Sequence, residues 1–173
     1  MAINAVLSDP NQNSYVTEEE ADTYFENRAF SSLWISFDPT EKEPLLILCS
    51  HMLDWYIKWK GFKTDPEQPM DWPRSSVILS NGASLKDNVL PNEIKIAAFE
   101  LAISTITKGK DRTIEDPLMG LEQLKVASLL IKAKPDLSGG KTSSVQAIPD
   151  KVLKIVTEYR SLSSFGVVRL MRG

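Results

Sequence analysis

Few side chains in this chain have the types and spacing that metal or covalent chemistry needs. It has one cysteine, Cys49, and one histidine, His51, two positions apart. Residues two apart on a helix point about 200 degrees away from each other, so a thiolate–imidazole dyad does not form there. Cys49 ends the apolar run Leu45-Leu46-Ile47-Leu48-Cys49 and is expected to be a buried, inert thiol. A single histidine with no cysteine pair leaves no ligand set for zinc. Glu18, Glu19, Glu20 and Asp22 gather four carboxylates, but at a helix start such charges are ordinarily solvated and complement the helix dipole. Leu137-Ser138-Gly139-Gly140-Lys141-Thr142 ends like a phosphate loop, yet the position of that motif's first glycine holds Pro135, so the stretch reads as a linker. No catalytic, cofactor-binding or metal-binding residue is expected.

A different chemistry is suggested by Trp55, Trp59 and Trp72 with Lys58, Lys60 and Lys63, because aromatic faces interleaved with cations can stack the bases of a single nucleic-acid strand. Trp55 and Trp59, four apart, fall on one face of an amphipathic helix and are expected in the core. Trp72, between Asp71 and the pair Pro73-Arg74, either caps the core or forms a loop interface together with Arg74. The charge balance argues against a broad DNA-binding face: 20 Lys plus Arg against 23 Asp plus Glu give a net charge of −3. Sequence-independent DNA binding draws its affinity from cations that displace counterions from phosphates.

These residues are positioned by a mainly α pattern, a small helical bundle with a short β element, a long central loop and an extended C-terminal tail. With 173 residues, 42% of them hydrophobic, the chain has enough apolar material for one domain with a true core. An N-terminal arm or loop over 1–13 should precede a helical domain over 14–160. Thr17-Glu18-Glu19-Glu20 has the form of a capping box and opens a helix to about Arg28. Phe30 to Pro39 reads as a short helix or turn that pins its aromatic rings to the core. Thr40 with Glu43 caps a second long helix, with Pro44 in its first turn and Gly61 as its stop. Residues 62–88, punctuated by prolines and Asn81-Gly82, read as a long loop. Pro91 opens a further helix that Gly109 ends, and Pro149 opens the last one. Residues 125–134 alternate as a strand does, although Leu130 breaks the alternation and the residues also suit a helix. Neither a signal peptide nor a membrane span of about 20 apolar residues is visible, so a cytosolic setting and no membrane partner are expected.

The tail over 161–173 is both apolar and basic. Phe165, Val167, Val168, Leu170 and Met171 with Arg169 and Arg172 are expected to dock on a partner, since such a tail seldom hangs free.

Asn13-Ser14-Tyr15-Val16-Thr17-Glu18-Glu19-Glu20-Ala21-Asp22-Thr23-Tyr24-Phe25, then Trp59-Lys60-Gly61, Asp71-Trp72-Pro73-Arg74 and Leu90-Pro91-Asn92-Glu93-Ile94-Lys95, form an ordered set. In this set the chain resembles a phage protein family that carries the label of DnaT-like single-stranded-DNA-binding proteins and whose members look like head-tail adaptors, or connectors, of tailed phages. The match runs in order from about Asn13 to Tyr159. The resemblance implies a small helical-bundle subunit of the virion, assembled in the host cytoplasm as a homo-oligomeric ring, commonly of twelve copies. Its partners would be the portal protein and a tail or tail-completion protein, with DNA passing through the ring without sequence-specific binding and no cofactor. The docking tail would then fit a portal groove, with apolar anchors and arginines that fix the register. The family's label supports an alternative of another class, a replication-associated single-stranded-DNA-binding protein.

Overall fold

A computed structural model describes residues 2–29, 31–111 and 148–161. Among these residues the fold is mainly α, with five helices and one two-stranded antiparallel sheet: α1 Glu18–Glu26, α2 Ser32–Ile35, α3 Pro39–Tyr56, β1 Phe62–Lys63, β2 Arg74–Ser75, α4 Asn92–Asp111 and α5 Asp150–Ile155. The expected strand over 125–134 and the tail over 161–173 lie outside the described residues, apart from Ser161.

α1 starts where its capping box places it. The Thr17 hydroxyl accepts from the Glu20 amide at 3.2 Å, and the Glu20 carboxylate accepts from the Thr17 amide at 3.3 Å. α3 starts earlier than a Thr40 cap suggests. Asp38 is the N-cap, its carboxylate accepting from the Thr40 amide at 2.9 Å, and Pro39 takes the first helical position. Pro44 therefore sits in the second turn, where its missing N–H leaves one helical hydrogen bond unmade. α4 passes through Gly109 and runs to Asp111, since a single glycine costs a helix only about 1 kcal/mol.

α4 is the central helix, packed between α3 and α5 and touched by α2. Its buried stripe of Ile94, Ala97, Ala98, Leu101 and Ala102 is rich in alanine, which lets neighbouring helices approach closely. On one side Phe25 stacks on Trp34 at 4.9 Å and meets Phe99 edge-on at 6.3 Å, joining α1 and α2 to α4. Two charged clusters tie the helices as well. Glu100, 5% exposed, accepts from Tyr24 Oη and pairs with Arg28 and Lys151, each at 2.8 Å. Lys42 pairs with Asp22 at 2.8 Å, lies 5.0 Å over the Trp34 ring, and shares Asp22 with the Trp34 indole N–H.

The stretch over 62–88 is more ordered than its composition suggests. Phe62 pairs with Ser75 and Lys63 with Arg74 in the small sheet, and a bridge joins Ile78 to Ser84. Polar side chains close the turn between the strands: Gln68 donates to the carbonyls of Met70 and Pro73, and Asp65 accepts from the Glu67 amide. Pairing across such a turn depends on residues well apart in the chain, so no local periodicity announces it.

Candidate nucleic-acid interface

The interface candidate is built where α3 ends. The apolar spacing of the sequence carries a helix to Gly61, but α3 stops at Tyr56 and Ile57 is extended, with φ −115° and ψ 123°. From there the chain behaves as a strand: Ile57 and Trp59 turn inward at 5% and 6% exposure, and Lys58 faces out. The reason is tertiary. Trp59 bridges to Arg160, the Lys60 amide donates to the Tyr159 carbonyl at 2.8 Å, and the Ser161 amide donates to the Lys58 carbonyl at 2.7 Å. Those bonds replace the helical ones, so the backbone is satisfied either way and the packing of Trp59 decides.

That break separates two tryptophans that a continuous helix would hold on one face. Trp59 is core, as expected; Trp55 is not, being 64% exposed. His51, one turn back, stacks on the Trp55 indole at 5.6 Å and 16°. Burial pushes the His51 imidazole below its ordinary pKa, so it backs the indole as a neutral ring. Tyr56 and Phe62 are exposed nearby in the chain, at 43% and 72%, and Ile78, whose carbonyl accepts from Lys60 Nζ at 3.2 Å, is 61% exposed. A shallow cleft of about 360 Å³ opens beside Trp55, lined also by Tyr56, Lys58, Lys63, Asp54, Asp71 and Arg74. From Trp55 to Lys63 the chain has three lysines and no acid, and the Lys58 side chain has no partner among the described residues.

Beneath the cleft lies a hydrogen-bonded floor. Asp54 accepts from the Tyr15 hydroxyl at 2.5 Å, the Trp59 indole at 3.3 Å and the Asp71 amide at 3.0 Å. Burial raises its carboxyl to a pKa of about 6 against the pull of these donors, and burial followed by the Asp54 charge pushes the Tyr15 hydroxyl well above its ordinary range. The Arg74 guanidinium donates to the carbonyls of Lys60 and Gly61 at 2.8 Å and of Asp71 at 3.1 Å, so its donors serve the backbone. Gly61 has φ +69°, and a Cβ there would stand 2.2 Å from the Ser75 carbonyl oxygen; no other residue fits where β1 meets β2.

Residues 3–173 match the family described as "Putative DnaT-like ssDNA binding protein". The chain belongs to this family. No curated protein and no solved structure matches it. In this DnaT-like chain the motif residues Tyr15, Trp59, Gly61, Asp71, Trp72 and Arg74 meet in one place: Tyr15 and Trp72 are buried beneath the cleft, and Trp59, Asp71 and Arg74 line it. Trp72 is fully buried, edge-on to Trp59 at 5.8 Å and to Tyr159 at 6.0 Å, and its amide donates to Tyr15 Oη at 3.2 Å. Trp72 thus lies in the core, and the Arg74 side chain beside it is 11% exposed. The tail residues Phe165, Val167, Val168, Arg169, Leu170, Met171 and Arg172 lie outside the described residues. Cys49 is fully buried, which raises its thiol to about 12. No cluster of three or more His, Cys, Asp or Glu side chains able to hold a metal forms among the described residues, and none of their helices is long and apolar enough to cross a membrane.

Sequence reasoning missed Asp54 and Tyr15 as the centre of the site. The signal that could have found them was an acid, Asp54, set directly between Leu53 and Trp55 in an otherwise apolar helical turn.

Proposed function

We propose that the protein binds single-stranded DNA at the cleft where α3 ends. The observation that carries this is the exposure of Trp55, at 64%, in a cleft that Lys58 and Lys63 also line. An indole face backed by His51 and open to solvent can stack a base whatever its identity, at about 1–3 kcal/mol per base. Lys58, with Lys60 and Lys63 on either side of Gly61, provides cations for the backbone phosphates. A net charge of −3 makes such binding local, modest and strongly salt-dependent.

The family to which the chain belongs supports the same reading. An adaptor ring with portal and tail partners rests on the motif resemblance alone, and no feature of the described residues favours it.

Fluorescence anisotropy with a labelled oligodeoxynucleotide at low and moderate salt tests the proposal. Trp55→Ala should lower affinity about tenfold or more, the equivalent of one stacked base, with unchanged circular dichroism. Equal binding by wild type and Trp55→Ala, or no binding by the wild type at low salt, overturns it.

A further inference from the structure

The cleft contains one feature that a purely unselective stacking site does not need. Two carboxylates line it, Asp54 and Asp71. Both oxygens of Asp54 are occupied: Oδ1 by Tyr15 and Trp59, Oδ2 by the Asp71 amide. Asp71 differs. Its side chain is 28% exposed, its Oδ1 lies 3.4 Å from Lys63 Nζ and 4.0 Å from Arg74 Nη1, and its Oδ2 receives no donor from any described residue. Asp71 lines the cleft, and its backbone is held there by its amide donating to Asp54 and its carbonyl accepting from Arg74. The two cations beside it offset the repulsion that a bare carboxylate would exert on passing phosphates.

In a single strand the Watson–Crick edges of the bases are unpaired, and a protein can read them by hydrogen bonds beside a stacking ring. A carboxylate accepts only. It suits the exocyclic amino group of cytosine, as it does in groove recognition, and likewise that of adenine or guanine. Thymine offers instead one N–H set between two carbonyl oxygens, which a carboxylate repels. Resting on the single-stranded-DNA reading above, we infer that Asp71 is a specificity-determining residue that makes the Trp55 cleft prefer bases with an exocyclic amino group, cytosine over thymine in particular.

Oligodeoxycytidine and oligodeoxythymidine of equal length test this, since both are pyrimidine strands and differ at the base edge. At slightly alkaline pH, where cytosine tracts stay single-stranded, the wild type should bind the cytidine strand about tenfold more tightly, the scale of one good base contact. Asp71→Asn should remove most of that preference and leave thymidine-strand affinity equal or higher, because a charge near the phosphates is gone. Asp71→Glu, which keeps the charge and moves the acceptor by a methylene, should lose preference without the rise in thymidine-strand affinity. This second variant decides the matter if the amide variant misfolds. Equal wild-type affinity for the two strands, or a preference that persists in both variants, overturns the role of Asp71 and leaves the single-strand reading intact. Failure to bind either strand overturns that reading and this inference with it.

Discussion

The hydroxyl of Tyr15 donates to the Asp54 carboxylate at 2.5 Å and accepts from the Trp72 amide at 3.2 Å, joining three segments through one oxygen. Tyr15 is 1% exposed and Trp72 fully buried, so no water can replace the hydroxyl without rearrangement. Tyr15→Phe keeps the ring and orphans a buried N–H. The expected loss is about 2–3 kcal/mol, the desolvation of one unmet donor plus a weaker hold on the carboxylate. Urea denaturation measures it, and a loss under about 0.5 kcal/mol would show that the bond is dispensable.

Asp54 gives stability a pH dependence of defined sign. Its carboxyl is raised from the ordinary 3.8 to about 6 in the folded protein, so between those values the folded state binds more protons than the unfolded one. The contribution is fully present below pH 3.8 and is lost as pH rises through about 6. Two pKa units correspond to at most about 3 kcal/mol. Urea midpoints of wild type and Asp54→Asn across this window should differ in slope, with the wild type falling more steeply as pH rises. Parallel curves would remove Asp54 as the cause.

Gly61→Ala places a methyl 2.2 Å from a backbone oxygen at a positive φ, where neither the Ser75 carbonyl nor the turn can yield cheaply. A destabilisation above about 2 kcal/mol is expected, since both strain and a displaced strand contribute. A thermal melt that overlays the wild type would mean that β1 and β2 separate without consequence.

Lys58 is exposed and unpartnered among the described residues, so its removal tests phosphate binding with little effect on folding. For each phosphate that is no longer neutralised, the slope of log affinity against log salt should fall in magnitude by about 0.7 for a single strand. Lys58→Ala should show this with an unchanged urea midpoint. An unaltered slope would place the strand elsewhere on the surface.

The cluster around Glu100 predicts an asymmetry. Glu100 is 5% exposed, whereas the side chains of its partners Arg28 and Lys151 are 29% and 62% exposed. Glu100→Ala frees two cations that can rehydrate and should cost about 2 kcal/mol. Removing both Arg28 and Lys151 leaves a carboxylate buried without a charge partner and should cost about 3–5 kcal/mol. Chemical denaturation of the two variants gives the order directly, and the reverse order would contradict the burial of Glu100.

The helical character was legible because its signals are local. The Thr17 and Glu20 capping box and the alanine-rich stripe of α4 act within a few residues, and each appears as expected. Cys49 was legible for the same reason, its apolar neighbours requiring burial. The helix starts and stops were less so: Asp38 overrode Thr40 as the cap of α3, and Gly109 did not end α4, because a weak breaker yields to neighbours that favour the helix.

Local pattern along the chain was enough to establish that it is mainly α, that its apolar stripes face a common core, and that Trp55, Lys58, Lys60 and Lys63 stand close together. Which of those side chains reach solvent was settled by long-range packing. A helix through Gly61 would have buried Trp55 with Trp59, but pairing of 58–60 with 159–161 broke it at Ile57, turned one indole in and left the other out. The same holds for the floor of the cleft, where Tyr15 bonds to Asp54 and Trp72, 39 and 57 positions away along the chain. Contacts at such separation cost chain entropy that only the assembled core offsets, so no window of sequence contains them.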